Sequence, residues 1–147
     1  YNNDQTAGNH WGWTFGGTIN WQTTTKQGSD VGSWKVTLTS TNRTSLVPMR
    51  IRLGEIGCIA SSTVTVTVWV KKDHATNIQA KLFVEDAKYN LTGVSATSDT
   101  KTDDTSWEQL SISFTPTVAG FVPIWVDVWC TSTTNAIAYI GSMTVTQ

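Results

Sequence analysis

Charge is scarce in this chain. Asp, Glu, Lys and Arg make up only 14% of 147 residues, and the 10 basic and 11 acidic side chains nearly cancel, to −1. No basic run occurs, which argues against nucleic acid as a partner, since phosphate recognition needs clustered Lys and Arg. No apolar stretch is long enough to cross a bilayer, so membrane insertion is not expected. Histidine is limited to His10 and His74 and cysteine to Cys58 and Cys130, with none of the spacings that hold zinc. Gly-rich phosphate loops and serine-elbow motifs are missing as well. A glycosidase pair could be assembled from Glu55, Glu85 and Asp127, but nothing in the sequence sets their separation. The expectation is a protein without catalytic residues and without a cofactor.

What the chain has in quantity is Thr, Val and Trp, with 8 tryptophans. That composition favours strands over helices. The length suits a single domain with a proper core. The sharpest pattern is Val64-Thr-Val-Thr-Val-Trp-Val70, in which Val64, Val66, Val68 and Val70 alternate with Thr65, Thr67 and Trp69. A period of two sends valine to a dry face and threonine to a wet one. Trp69 is the exception, a large aromatic on the threonine face.

Other segments repeat this rhythm. Trp34, Val36 and Leu38 alternate with Lys35 and Thr37. Met49, Ile51 and Leu53 alternate with Arg50 and Arg52, which share a face able to meet an acidic group. Gly54 and Gly57 mark a break or bulge. Ile78, Ala80, Leu82 and Val84 alternate with Gln79, Lys81, Phe83 and Glu85, and Leu110, Ile112 and Phe114 line one side of a later strand. Residues 89–105 form a polar stretch expected as a loop. The first 22 residues form an N-terminal arm carrying Trp11 and Trp13, which suit packing onto the domain or a neighbouring subunit; a short strand is expected near Thr18–Gln22. Residues 23–147 form the domain. Cys58 and Cys130 fall in inward register, as buried thiols do; a disulfide is the alternative and needs their Cα atoms within about 7 Å. The sequons at Asn42 and Asn90 are acceptors for glycosylation only in a secretory setting.

The segment from Phe121 to Thr131 carries the candidate site. Val122, Ile124, Val126, Val128 and Cys130 fall on one face, and Trp125, Asp127 and Trp129 on the other. Alternate residues lie about 7 Å apart, so the two indoles stand roughly 14 Å apart. Indole faces can stack on the C–H groups of pyranose rings, and a carboxylate accepts hydroxyl hydrogen bonds. Trp69, Phe83 and Lys81 extend that face if their strands are neighbours. The same indoles also suit protein contacts, including a homo-oligomer.

About eight strands separated by turns predict an all-β, two-sheet antiparallel sandwich of the jelly-roll kind. The order of the Val64–Lys72 strand, Trp107-Glu-Gln-Leu-Ser-Ile-Ser-Phe-Thr-Pro116, Phe121–Val128 and Ala138-Tyr-Ile-Gly-Ser-Met-Thr-Val145 resembles the jelly-roll carbohydrate-binding modules appended to xylanases and glucanases. It is also similar to Thr-rich jelly-roll domains in structural proteins of tailed phages. The resemblance runs from about Trp21 to the C-terminus. It implies a non-catalytic role: decoration of a phage capsid or tail, adhesion to surface glycans, or both, with a carbohydrate-binding module of a secreted hydrolase as the alternative. Partners are then virion proteins or polysaccharide, and the location is a virion surface or extracellular. The module family often holds a structural calcium through an acidic residue of its last strand. Here Ile140-Gly141-Ser142-Met143 offers no carboxylate. Asp99, Asp103 and Asp104 could supply oxygen ligands but suit a solvated loop.

Overall fold

The computed structural model describes residues 17–38, 48–73, 78–84, 96–97, 106–130 and 136–147. Its strands are β1 (Gly17–Gln22), β2 (Ser33–Leu38), β3 (Met49–Cys58), β4 (Val64–Lys72), β5 (Ile78–Val84), the two-residue β6 (Ala96–Thr97), β7 (Glu108–Phe114), β8 (Gly120–Cys130) and β9 (Ala136–Thr146). They form two antiparallel sheets, ordered β1-β2-β9-β4-β7 and β3-β8-β5-β6. The expected all-β sandwich is the observed architecture.

Alternation explains the layering. Val64, Val66, Val68 and Val70 are fully buried, and they meet Val36, Leu38, Leu110, Ile112, Ala138 and Ile140 on the inner face of the five-stranded sheet. The opposing face brings Met49, Ile51, Ile78, Ala80, Leu82, Val122, Ile124, Val126 and Val128. Removing this apolar surface from water is the main drive for stacking the sheets. Lys72 keeps the inward register of the valines, so its side chain is buried too; its Nζ donates to Gln79 Oε1 at 3.3 Å. That bond joins β4 of one sheet to β5 of the other and satisfies a polar group at the margin of the core.

One departure from regular pairing matters for the site. The register of β3 against β8 shifts between Arg52 and Gly54, at the glycine that marks a break or bulge in the sequence, and Leu53 is only half-buried there.

Residues 17–22, grouped with the arm on sequence grounds, pair with β2 along their whole length, from Gly17–Leu38 to Gln22–Ser33. The sheet therefore begins inside that segment. Trp21 meets Trp34 edge-on, with ring centroids 5.2 Å apart. Trp11, Trp13, His10, His74, Asn42, Asn90, Glu85, Asp99, Asp103 and Asp104 lie outside the described residues.

Both cysteines are buried and free. Cys58 pairs with Gly120 and Cys130 lies at the other end of β8. A strand of that length holds them on the order of 30 Å apart, far beyond disulfide reach.

Candidate functional site

The site face is the outer surface of the four-stranded sheet, and its order is set by register. β8 runs between β3 and β5. Across these strands, Arg50, Asp127 and Lys81 form one row, and Arg52, Trp125 and Phe83 the next. Trp129 stands opposite Gln79 on the far side of the charged row. Alternation puts all of these on the face away from the buried valines of β8. The structure thus brings together Trp125, Asp127, Trp129, Lys81 and Phe83, as the alternation allowed.

Trp125 and Trp129 are both half-buried, with indole surface on the outside of the sandwich. Between them Asp127 is 7% exposed. Its carboxylate is held by Arg50, with Nε donating to Oδ1 at 3.0 Å and Nη2 to Oδ2 at 3.1 Å. A two-pronged guanidinium–carboxylate pair fixes both groups geometrically. The same guanidinium lies 4.2 Å from the centroid of Phe83, within cation–π range. Arg52 pairs with Glu55 at 3.2 Å and lies 6.0 Å from the Trp125 centroid. Lys81 is half-buried and forms no ion pair with a described residue.

Three expectations change. Phe83 belongs to this face, but it is 7% exposed beneath Arg50, so it supports the guanidinium and is no open stacking surface. Asp127 is a tethered acid, with both oxygens engaged by Arg50; it orients the face more than it presents a free acceptor. Trp69 is a correction: β4 belongs to the other sheet, so Trp69 points away from the Trp125 row. Its Cβ lies 3.4 Å from where a side chain on Gly141 would begin, and Trp107 and Asp30 close on the same glycine at 3.2 and 3.4 Å. Asp30 Oδ2 also accepts the Ser142 N–H at 3.2 Å. Trp69 is thereby part of the packing between a loop and β9. Arg50 and Arg52 were placed on a shared basic face; their pairing with Asp127, 77 residues away, and with Glu55 required the register.

The place where the resemblance would put an acid for calcium is the Gly141–Ser142 stretch of β9, at its register shift against β4. It offers the Asp30 carboxylate, already accepting an amide N–H, whereas calcium takes 6–8 oxygen ligands. These residues do not fit the ion. Among the described residues no group of three or more His, Cys, Asp or Glu side chains converges.

Burial raises the thiol pKa of Cys58. It raises that of Cys130 too, with the Asp73 charge adding to the effect. Both cysteines are therefore poor nucleophiles at neutral pH.

No protein-family model matches the chain, and no curated protein matches it in sequence. Solved structures do share the fold. A family 16 carbohydrate-binding module superposes with a TM-score of 0.55 at 19% identity, over 98% of this chain and 97% of that one. TmCBM61, solved in complex with β-1,4-galactotriose, gives 0.56 at 15% identity over 88% and 81%. A CBM4 structure gives 0.56 at 10% identity over 90% and 91%. At these identities the likeness is one of fold. The β-sandwich fold is one that these carbohydrate-binding modules share.

Proposed function

We propose that the chain is a non-catalytic glycan-binding module whose binding face is the outer surface of β3, β8 and β5. The observation that carries this reading is the pair of half-buried indoles, Trp125 and Trp129, flanking a rigid charged row on a β-sandwich of carbohydrate-binding type. Sugar rings stack on the indoles through their C–H groups, and polar groups of the middle row meet hydroxyls between them. Such a platform needs no bond-breaking residue. TmCBM61 was solved with a galactotriose, and an oligosaccharide of that general size matches a face two indoles long.

The chain works outside the cell, where polysaccharide is met. The virion role, in decoration or adhesion, draws on the Thr/Val texture, the low charge and the N-terminal arm of the sequence. The polysaccharide-module reading has the fold neighbours in addition and comes first. Affinity electrophoresis in gels carrying galactan, xylan, β-glucan or a uronate polymer tests it. Retardation in at least one gel, lost in Trp125→Ala and Trp129→Ala, is the expected result. Equal mobility of wild type and variants in every gel overturns it.

A further inference from the structure

Among the described residues, five charged side chains lie on this face: Arg50, Arg52 and Lys81 with Asp127 and Glu55. Both carboxylates have a guanidinium partner, Arg50 for Asp127 at 3.0 Å and Arg52 for Glu55 at 3.2 Å. Lys81 is the cation left over among the described residues of the face. It stands in register with Asp127, at the β5 end of the row that lies between those of Trp125 and Trp129. Asp127 therefore has a cation on either neighbouring strand and closes on only one of them. An ammonium only donates hydrogen bonds and carries a full charge.

We propose that the face selects an anionic glycan, whose charged substituent, a uronate carboxylate or a sulfate ester, is held by Lys81 while neighbouring sugar rings rest on Trp125 and Trp129. This rests on the glycan-binding reading and adds the substrate class. A sugar above each indole brings the intervening ring over the Asp127–Lys81 row. There the acid is nearly covered and tied to Arg50, so the group offered to ligand is the ammonium. An anion at that point pairs with the Lys81 ammonium. A neutral hydroxyl accepts a hydrogen bond from the same ammonium and leaves the charge uncompensated.

The test measures, by calorimetric titration, the ratio of affinities for an anionic and a neutral oligosaccharide of equal length. Oligogalacturonate and a sulfated galactan oligomer form the two anionic arms, and neutral galactan oligomer is the reference. At low ionic strength the anion is expected to bind about two- to fivefold tighter, the range for a solvent-exposed ion pair. The ratio falls toward one in 0.5 M salt, where charges are screened within a few ångströms. Lys81→Met brings the ratio to one and Lys81→Arg keeps it above one, while thermal melts of both variants check folding. Preference for one anionic arm identifies the substituent. A ratio of one or below in the wild type, or a ratio untouched by Lys81→Met, overturns the proposal and leaves glycan binding standing. Absence of binding to all three oligomers overturns both.

Discussion

Asp127 lies in register between Lys81 of β5 and Arg50 of β3, and its carboxylate closes on Arg50 with both oxygens, at 3.0 and 3.1 Å. That choice organises the face. It buries the acid, lays a guanidinium over Phe83 and leaves an ammonium at the β5 end of the row.

Removing Arg50 strands the acid. The Asp127 side chain is only 10% exposed and Arg50 is 46% exposed, so the pair is partly desolvated. Arg50→Ala leaves a nearly buried carboxylate without its partner and uncovers Phe83. A loss of about 1–3 kcal/mol is expected, between the cost of an unsatisfied buried group and that of a fully buried broken pair. Urea unfolding should show a lower midpoint with an unchanged slope. Adding Asp127→Ala should recover part of the loss. A midpoint equal to wild type contradicts the role given to the pair.

Two glycines should fail for different reasons. A Cβ on Gly32 would lie 2.5 Å from the Gln22 carbonyl oxygen and 2.6 Å from Cζ2 of Trp21. Gly32→Ala therefore pushes on a backbone atom and a ring in edge contact with Trp34, costing about 1–3 kcal/mol as overpacking does. Its tryptophan emission should shift. Gly28 has open space around it but a φ of +50°. Gly28→Ala should cost about 1–2 kcal/mol through backbone strain, with emission unchanged. Equal spectra and equal melting temperatures for the two variants would contradict this account.

The thiols predict a response to alkali. Burial raises the pKa of Cys58 and Cys130 above their ordinary 9.0. A raised folded-state pKa means that the thiol form is favoured in the fold. The contribution is complete below the unfolded value and is lost as pH climbs from there through the folded one. Stability of the wild type should therefore fall more steeply above pH 9 than that of a Cys58→Ala/Cys130→Ala variant. At pH 8 a disulfide reagent should leave both thiols unreacted until denaturant is added. Rapid labelling of the native protein contradicts their placement.

Much of the architecture is legible in the sequence because alternation reports burial directly. Val64–Val70 and Val122–Cys130 declare both strand and facing without reference to any other segment. Alternation does not say which sheet a strand joins. Trp69 and Trp125 look equivalent along their strands, yet β4 and β8 lie in different layers, and only long-range pairing separates them. The same limit hides the Arg50–Asp127 pair: each residue is visibly outward, but their meeting depends on the register of β3 with β8. Phe83 is read as exposed for a similar reason, since the group that covers it comes from β3, two strands away. Lys72 follows the valine rhythm inward, a placement that charge alone would argue against.

The most direct test of the account is fluorescence titration of the wild type, Trp125→Ala and Trp69→Ala with whichever polysaccharide retards the wild type in a gel. Both variants lose a half-buried indole, one from each sheet. The account predicts that Trp69→Ala keeps wild-type affinity while Trp125→Ala loses at least tenfold, equal to about 1.4 kcal/mol. Loss of affinity in Trp69→Ala with Trp125→Ala unaffected would place the binding face on the opposite sheet and contradict it.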